Sequence, residues 1–523
     1  MIFQEGLAPV GFIALIPVFF VVSKSKIKNA WAYGFLYGAS AYGLFSYWLA
    51  GFSPFTIYIG VPAFGVVMAL VFEAMCAAKS MYPEKKFYIM ALVWLAYEFI
   101  KTKGFLGYPY GIIGYTQWNV PVMVQSASIG GVWWVSLLCV SFSAVAARFL
   151  ECIFDRKEKK LSFGLSAANF FKGERIPFVL VSGLFLFSLC YGTIRLNVDG
   201  TQYRKSTVAC IQNNTDSNKY GFEVYKRDVA ALKNLTESAL DENPGIDFVI
   251  WPETAVVPPF LYNYASESNA NRHRMVLDLI DFMSSHDACF VFGNQTSVDN
   301  GGEYPDDYNS ALVFDVRKGN VNPPDPGLYC KIHLVPFTEY FPYEKIFPRL
   351  YEMLLMGDTH LWTPGSDYTV FNERGVSFST PICFEDCFGN LCRSFVKNGA
   401  RCLFNLTNDS WSRSVPCQTQ HLSMAVFRSV ENAVPSARAT ASGATCFIDS
   451  RGRIYGKTRY FARNYSCAEI NVPENYSPTI YNRFGDWLPL LEILVLVFLI
   501  VFRAVLFLRR KTHAHLKNSA EME

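Results

Sequence analysis

Long apolar stretches alternate with polar segments and divide the chain into three parts. Six stretches in the first 200 residues and one near the C terminus approach the ~20 residues with which an α-helix crosses a bilayer. We predict membrane spans at 7–23, 29–50, 55–78, 87–103, 121–150, 176–196 and 487–508. The fifth stretch is too long for one straight span, so we expect its start, near 118–129, to lie along the membrane surface. The first lacks the basic leader and cleavage site of a secretory signal peptide, which favours a true span.

The polar region between the sixth and seventh spans has the pattern of an α/β domain. Strand-like runs occur at 206–212, 246–251, 289–293, 309–315, 376–382, 402–406 and 444–449, and helical runs at 222–241, 269–285 and 418–434. This alternation predicts layered strands and helices with functional residues at strand ends. An aromatic-rich segment at 337–364 predicts a long functional loop or lid. We therefore predict a transmembrane helical bundle of about six spans over 1–198, a folded domain over 199–482, and a final membrane helix with a basic tail over 483–523.

Composition agrees with a chain that is part membrane and part globular. Hydrophobic residues make up 51% of the 523 residues and charged residues 17%, which is too apolar for an ordinary soluble protein. The formal net charge of +3 gives no argument for a nucleic-acid partner. The 14 cysteines lack the paired spacings of a zinc site, so we predict neither a metal nor a cofactor.

The positions of lysine and arginine predict the orientation in the membrane. Basic residues follow the first, third, fifth and seventh spans: Lys24, Lys26, Lys28; Lys79, Lys85, Lys86; Arg156, Lys157, Lys159, Lys160, Lys172, Arg175; Arg509, Arg510 and Lys511. Loops enriched in lysine and arginine stay in the cytoplasm. The region 199–482 is therefore predicted to lie on the outer side of the membrane.

Three side chains at the ends of strand-like runs are candidates for catalysis. Cys383 ends an apolar run, and a thiol there can act as a nucleophile once a neighbour removes its proton. Glu253, after Trp251 and Pro252, is a candidate general base, and Lys331 a candidate positive charge beside a developing oxyanion. Each also has an ordinary interpretation: a buried structural cysteine, a solvated loop carboxylate and a surface lysine on an edge strand.

Three segments of the sequence resemble one enzyme family. Trp251-Pro252-Glu253, the run KIHLVPFTEYFP at 331–342 and the run ICFE at 382–385 are similar to motifs of the nitrilase superfamily and, within it, of the apolipoprotein N-acyltransferases. The runs at 308–312, 405–411, 420–422 and 428–438 fit the same family. The resemblance covers nearly the whole chain. It implies a nitrilase-like α-β-β-α sandwich on a bundle of transmembrane helices.

The resemblance also assigns roles to individual residues. It implies that Glu253 is the general base, Lys331 the oxyanion-stabilising lysine and Cys383 the nucleophile. Supporting active-site glutamates and substrate-binding residues are implied at Glu339 and Glu385, and at Tyr220, Phe384, Asn309 and Trp411. The sequence departs from the family pattern at Thr338 (usually glycine), Phe384 (often tyrosine) and Tyr220 (commonly tryptophan), and its start is expected to lack the family's first span.

The implied activity is transfer of an acyl chain from a phospholipid, through a thioester on Cys383, to the α-amine of the S-diacylglyceryl-cysteine of a bacterial lipoprotein. It implies an enzyme of the bacterial inner membrane with its catalytic domain on the periplasmic side. No cofactor or nucleic acid is expected, and the enzyme is expected to act as a monomer in the bilayer.

Three other functions compete with this interpretation. A membrane-tethered amidase of the same superfamily would use the same three residues with water as the acceptor. A papain-like thiol hydrolase would pair Cys383 with His333 or His421, but would leave the Trp-Pro-Glu segment unexplained. A transporter or receptor with an outer ligand domain would not be an enzyme at all; Glu73 and Glu98, within or near apolar stretches, are the residues that favour it.

Overall fold

The computed structural model describes residues 6–52, 54–159, 162–198, 200–216, 220–302, 304–355 and 360–520. They form two compact units. One consists of Ile194–Gly485, and the other of Gly6–Thr193 with the C-terminal residues from Asp486 onward. Residues 1–5 of the predicted helical bundle, 160 and 161 of a predicted basic loop, 356–359 of the predicted lid and 521–523 of the predicted C-terminal tail lie outside the described residues.

The first helical unit contains ten helices before the α/β unit begins. They are α1 (Ala8–Ile13), α2 (Ile16–Lys24), α3 (Ile27–Phe45), α4 (Pro54–Met81), α5 (Lys86–Ile100), α6 (Pro121–Val124), α7 (Ala127–Gly130), α8 (Val132–Lys159), α9 (Phe163–Gly173) and α10 (Arg175–Asn197). Its apolar core is formed mainly by α2, α3, α4, α5 and α8. The buried Glu98 carboxylate of α5 accepts hydrogen bonds from the Ile113 backbone N–H at 2.9 Å and from Ser136 Oγ at 2.7 Å.

Four helices among the described residues are long and apolar enough to cross a membrane: Thr56–Met81, Val132–Asp155, Arg175–Asn197 and Trp487–Arg510. They coincide with the third, fifth, sixth and seventh predicted spans. The other predicted spans are shorter helices: α3 has 19 residues, α5 has 15, and the first span is divided between α1 and α2. The helix breaks after Ile13 because, in a continuous helix, the ring of Pro17 would clash with the Ile13 carbonyl, four residues earlier.

The fifth predicted stretch, 121–150, is also interrupted. Two short helices, α6 and α7, precede α8, and Gly131 between them and α8 has a φ of +68°. This left-handed conformation is open to glycine at little cost and ends the helical run. The number of membrane crossings stays a prediction.

The second unit contains twelve strands and the remaining shorter helices. The strands are β1 (Tyr203–Gln212), β2 (Phe248–Ile250), β3 (Cys289–Val298), β4 (Asp306–Asp315), β5 (Gly327–Cys330), β6 (Phe371–Glu373), β7 (Val376–Ser379), β8 (Cys402–Thr407), β9 (Ser436–Thr440), β10 (Cys446–Ile448), β11 (Ile454–Tyr455) and β12 (Asn464–Pro473). The helices are α11 (Phe222–Glu242), α12 (Phe260–Ala265), α13 (Ala270–Ser284), α14 (Pro348–Leu355), α15 (Gly389–Lys397), α16 (Val415–Asn432) and α17 (Ile480–Phe484); α18 (Trp487–Ala520) then returns to the helical unit.

The strands form two six-stranded sheets, in the orders β12-β1-β2-β3-β4-β5 and β11-β10-β9-β8-β7-β6. The centre of each sheet is parallel: β1, β2 and β3 in the first, and β7, β8 and β9 in the second. The carboxyl ends of neighbouring parallel strands meet at one edge, which is where α/β folds place functional side chains.

The two sheets face each other through aromatic side chains. Phe248 of the first sheet packs against Phe378 and Phe404 of the second, with ring centroids 5.4 and 5.1 Å apart. The opposite face of the first sheet is buried against α11 and α13, through residues such as Trp251 and Leu279. Alternate strand residues therefore serve different layers. The predicted α/β fold with two inner sheets and outer helices is confirmed.

Candidate active site

Glu253 lies just beyond β2, where the strand leaves the sheet. The backbone N–H of Gly293 on β3 donates to the Pro252 carbonyl at 3.2 Å, and this brings the two segments very close. A Cβ on Gly293 would lie 2.6 Å from the Glu253 Cα and 2.5 Å from the Thr254 nitrogen, so only glycine fits here. The close approach fixes where the Glu253 side chain starts.

Donors from both sheets hold the Glu253 carboxylate. Its Oε1 accepts hydrogen bonds from Asn309 Nδ2 on β4 at 2.8 Å and from Lys331 Nζ at 3.2 Å. Its Oε2 accepts the backbone N–H of Asn408, just beyond β8, at 3.0 Å. A carboxylate oxygen can accept two hydrogen bonds, so Oε2 keeps a lone pair with which to receive a proton.

Lys331 follows β5 directly, and its side chain is only 1% exposed. Besides Glu253, its Nζ donates to Glu339 Oε1 at 2.8 Å. Burial disfavours the charged form of this lysine, but Glu253 and Glu339 outweigh burial and hold its pKa well above the ordinary value. Lys331 is therefore a fixed positive charge.

Glu339 is held in turn by two donors besides the lysine. Its Oε2 accepts the Val335 backbone N–H at 2.8 Å, and Asn309 Nδ2 lies 3.3 Å from its Oε1. One asparagine amide thus bridges the two carboxylates that flank Lys331. The amide oxygen of Asn309 is buried and has no hydrogen-bond partner among the described residues, and the predicted contact of Asn309 with substrate stays a prediction.

Cys383 begins a short 3₁₀ helix, Cys383–Cys387, with a φ of +50°. This left-handed conformation is strained for a residue other than glycine and is held by its surroundings. The preceding residue, Ile382, pairs with Leu406 of β8. Burial, with the charge of Glu253 added, raises the pKa of the Cys383 thiol well above its ordinary value, although Lys331 acts in the opposite sense. The resting thiol therefore keeps its proton and needs a base.

Glu385 connects the Cys383 turn to the segment that carries Lys331. Its Oε2 accepts the Ile382 backbone N–H at 2.7 Å, and its Oε1 accepts the backbone N–H groups of Ile332 at 2.7 Å and His333 at 3.0 Å. The Tyr329 hydroxyl donates to it as well, at 2.7 Å. Burial raises the pKa of Glu385 to about 7 despite these hydrogen bonds. Its contacts hold the backbone segments beside Cys383 and Lys331.

A buried ionic cluster lies behind the Cys383 turn. His421 of α16 places Nε2 2.7 Å from Asp386 Oδ1 and Nδ1 2.7 Å from Asp409 Oδ2. Arg438 of β9 pairs with Asp386 and lies 3.6 Å from Asp409. Asp386, Cys387 and His421 also bring three potential metal ligands together. A carboxylate faces each ring nitrogen of His421, and the two aspartates outweigh burial and raise the pKa of His421 well above its ordinary value, which favours protons on both nitrogens over a lone pair for a metal.

The sequence did not single out Asp386, Asp409 and Arg438 as a cluster. Asp409, His421 and Arg438 stood within separate runs that fit the family, and His421 was also considered as a papain-like partner for Cys383. Acids and bases that are distant in sequence can be paired only when the strand ends that carry them are known.

The other three residues predicted to bind substrate, Phe384, Trp411 and Tyr220, lie in different parts of the α/β unit. Phe384 follows the nucleophile, with its ring centroid 4.9 Å from that of Phe388. Trp411 lies in a 3₁₀ helix, Ser410–Ser412, close in sequence to Asn408. Tyr220 is 82% exposed, just before α11. Their roles toward a substrate stay predictions.

The structure weighs against a papain-like pair. The His333 ring lies 3.9 Å from the Phe388 ring between centroids, and burial lowers its pKa to about 4, which makes it a weak base near neutral pH. Both nitrogens of His421 are occupied by carboxylates. The charge of Glu253 acts on the Cys383 thiol, and the role of Glu253 as its base stays a prediction.

Comparisons with known proteins extend over both units. A family model described as "Carbon-nitrogen hydrolase" matches residues 207–477, and one described as "Apolipoprotein N-acyltransferase N-terminal domain" matches residues 2–145. Among solved structures, an amidase of the nitrilase superfamily from Nesterenkonia aligns with a TM-score of 0.36 and 15% identity, over 55% of this chain and 95% of that chain.

Two relatives from spirochaetes match along nearly their full lengths. The chain is 38% identical over 502 residues to "Apolipoprotein N-acyltransferase 1" of Treponema denticola, which covers 94% of this chain and 90% of that protein. It is 37% identical over 479 residues to the protein of the same name from Treponema pallidum, covering 90% of this chain and 86% of that protein.

Proposed function

Because the chain belongs to the apolipoprotein N-acyltransferase family, we propose that it transfers an acyl chain from a membrane phospholipid to the N terminus of bacterial lipoproteins. It is an acyltransferase with the carbon-nitrogen hydrolase fold, and its acceptor is a lipoprotein. The acceptor group is the α-amine of an S-diacylglyceryl-cysteine. The enzyme acts as a monomer, without a cofactor.

The observation that carries this proposal is the shared, buried contact between Lys331 and Glu253. An ammonium and a carboxylate meet at 3.2 Å where the first sheet ends, and the backbone N–H of Asn408 on the second sheet fixes the other carboxylate oxygen. Cys383 occupies a strained turn on that second sheet. This arrangement supports a base, an oxyanion partner and a nucleophile in one water-poor site.

In the first half-reaction Glu253 takes the proton from the Cys383 thiol. The thiolate then attacks the ester carbonyl of the phospholipid, and the negative charge that develops on the carbonyl oxygen is stabilised by the Lys331 ammonium. Collapse of this intermediate breaks the ester bond. The lysophospholipid alkoxide takes the proton from Glu253 and leaves, and the acyl chain remains on Cys383 as a thioester.

In the second half-reaction the lipoprotein amine attacks the thioester. Glu253 accepts a proton from the attacking nitrogen and returns it to the departing Cys383 thiolate. An ester has been exchanged for an amide, so the net reaction needs no ATP. A covalent intermediate suits this chemistry because two lipid substrates can use one site in turn.

The helical unit fits substrates that stay in a bilayer. The four apolar helices long enough to cross it support a multi-pass enzyme of the cell membrane. We place the α/β domain, 199–482, on the periplasmic side, between a bundle over 1–198 and a membrane helix over 483–523, because basic residues follow alternate spans.

The test is the intact mass of the purified protein after mixing with phospholipid, beside a Cys383→Ala variant. The proposal predicts an acyl adduct on the wild type that hydroxylamine removes, and none on the variant. Addition of a diacylglyceryl-cysteine peptide should discharge the adduct and yield the N-acylated peptide.

A Cys467→Ala variant is the matched control, since this half-buried cysteine lies on β12, in the sheet opposite the Cys383 turn. It should form the adduct as the wild type does. Absence of the adduct in the wild type, together with hydrolysis of a small amide, would reject the acyltransferase and favour a tethered amidase.

A further inference from the structure

His421 touches the nucleophile's backbone and two carboxylates at once. Its Nε2 lies 3.3 Å from the Cys383 carbonyl oxygen and 2.7 Å from Asp386 Oδ1, while its Nδ1 lies 2.7 Å from Asp409 Oδ2. The histidine side chain is 1% exposed, and both aspartates are 4% exposed. This is a buried bridge built on the helix α16, directly behind the catalytic turn.

The bridge joins the two segments that must be in register for the reaction. Asp386 belongs to the 3₁₀ helix that Cys383 begins. Asp409 follows Asn408, whose backbone N–H donates to Glu253 Oε2 at 3.0 Å. His421 thus links the nucleophile's turn to the segment on which the base is anchored.

The hydrogen bonding requires a doubly protonated ring. A neutral imidazole has one N–H and one lone pair, so one of the two carboxylates at 2.7 Å would face a lone pair. Charge balance leads to the same result. Asp386 and Asp409 carry two negative charges, which Arg438 and an imidazolium cancel, whereas a neutral ring would leave a buried excess of one.

We propose that His421 is a positioning residue for acyl transfer: as a permanent imidazolium it holds the Cys383 turn against the Asn408 segment that anchors Glu253. This inference rests on the proposed function. The charged or titratable groups that interact with the ring are Cys383, Asp386 and Cys387 from the 3₁₀ helix, Asp409 from the segment after β8, Arg438 from β9, and Cys417 from α16 itself. Burial opposes the charge on His421, but the two aspartates outweigh it and hold its pKa well above the ordinary value.

Arg438 completes the support from the second sheet. Its Nη1 donates to Asn405 Oδ1 at 2.9 Å, and Asn405 Nδ2 donates to the Pro381 carbonyl at 3.1 Å, two residues before the nucleophile. The Cys383 turn is therefore fixed on both sides. Without the imidazolium, the carboxyl side of the turn would lose its support.

The test compares His421→Gln with the wild type in three measurements. Glutamine keeps one donor but cannot bridge two carboxylates or carry charge. We expect acyl-enzyme formation in a single turnover to fall about 100-fold, the loss typical of a misplaced reacting group. The pH profile for alkylation of Cys383, followed by peptide mapping with iodoacetamide, should move to higher pH, because the positive charge of His421 lowers the pKa of that thiol.

The third measurement reports the protonation state directly. With ¹⁵N-labelled histidine, the His421 resonances, assigned by their absence in His421→Gln, should show protons on both ring nitrogens up to pH 9. A ring that titrates near its ordinary pKa would overturn the proposal. So would wild-type acylation and an unshifted alkylation profile in a folded His421→Gln.

The matched control is Asp315→Asn. Asp315 forms another buried ion pair of the same unit, 2.8 Å from Arg374. It is the last residue of β4, six residues after Asn309, so the two residues are about 20 Å apart along the strand. The Asp315→Asn substitution should lower the melting temperature without changing acylation or the pH profile of Cys383 alkylation.

The experiment also decides the role of His421 if the His421→Gln variant does not fold or if the wild type forms no acyl-enzyme. If His421→Gln does not fold, Asp409→Asn replaces it; the same 100-fold loss is expected, and unchanged acylation overturns the proposal. If the wild type forms no acyl-enzyme, the proposed function fails, whereas the alkylation profile and the ¹⁵N resonances still decide the role of His421.

Discussion

The Nζ of Lys331 lies 3.2 Å from Oε1 of Glu253, although the two residues are 78 positions apart in the sequence. The contact brings the fixed charge that would stabilise an oxyanion next to the group that would remove the thiol proton. Glu339, on the other side of the ammonium, competes for the same charge at 2.8 Å. Lys331 is therefore shared between two carboxylates, and the predictions that follow depend on that sharing.

Replacing Lys331 by methionine should abolish acyl-enzyme formation and destabilise the domain. The loss of an oxyanion partner predicts a fall of about 10³-fold in the single-turnover rate. Two carboxylates would also be left buried without a cation, at about 3 kcal/mol of unfolding free energy. Intact mass against time and thermal melting in detergent measure both effects.

The exposed Lys397, at the end of α15, provides the control. Lys397→Met should leave the rate and the melting temperature unchanged. A Lys331→Met variant that still forms the adduct at the wild-type rate would show that the lysine does not stabilise the oxyanion.

Asn309→Asp should move the acidic limb of the pH–rate profile to higher pH. The amide nitrogen that donates to Glu253 at 2.8 Å would be replaced by a carboxylate, and a third negative charge favours the protonated form of Glu253. We expect about a 10-fold slower acylation near neutral pH, with recovery as the pH rises.

The comparison variant is Asn309→Leu, which removes the same hydrogen bond without adding charge. The acidic limb of its pH–rate profile should move to higher pH by less than that of Asn309→Asp. Identical pH–rate profiles for the two substitutions would mean that a charge at position 309 does not affect the protonation of Glu253.

Gly293→Ala should impair catalysis by moving Glu253. The new Cβ would lie 2.6 Å from the Glu253 Cα, so the segment after β2 must shift. A displacement of this size predicts about a 100-fold slower acylation and a loss of about 2 kcal/mol of stability from overpacking.

A second glycine, with open space around it, serves as the control for a general effect of replacing glycine by alanine. Nothing lies within 4 Å of a Cβ placed on Gly200, so Gly200→Ala should behave as the wild type. If Gly293→Ala loses stability but not rate, the close approach serves folding only.

Loss of the proton that Glu385 holds in the folded state should make the domain less stable as the pH rises toward neutrality. Burial raises its pKa from the ordinary 4.5 to about 7, so between these values the folded state holds a proton that the unfolded chain has released. The free energy of unfolding therefore contains a contribution that is complete below pH 4.5 and falls by about 3 kcal/mol as the pH passes 7.

Glu385→Gln should remove this pH dependence, because the amide cannot titrate. Thermal melting of both proteins between pH 4 and pH 8 gives the comparison. Parallel curves for wild type and variant would show that Glu385 titrates normally in the folded protein.

Much of the architecture could be predicted from the order of apolar and polar residues. Runs such as 206–212 and 402–406 became β1 and β8, because buried strands need apolar residues at alternate or successive positions. The fold class and the family followed from short motifs with fixed spacing. Helix breaks were harder to predict: the stretch 7–23, predicted as a span, is divided into α1 and α2 just before Pro17.

The site was predictable as a set of residues but not as a set of contacts. Glu253, Lys331 and Cys383 each stood at the end of a strand-like run, which is why sequence alone could select them. Their roles in the reaction stay predictions. The structure adds that Asn309 donates through its amide nitrogen to Glu253 and Glu339, while its predicted contact with substrate stays a prediction.

Sequence by itself determined the α/β class, the apolar helices and the family, since these depend on periodicity, length and motifs that are local in the chain. Only the tertiary structure decided that Asp386, Asp409, His421 and Arg438 form one buried cluster. The physical reason is that parallel strands bring their carboxyl ends together whatever their separation in sequence. A charge becomes tolerable in the interior only when that assembly supplies its partners.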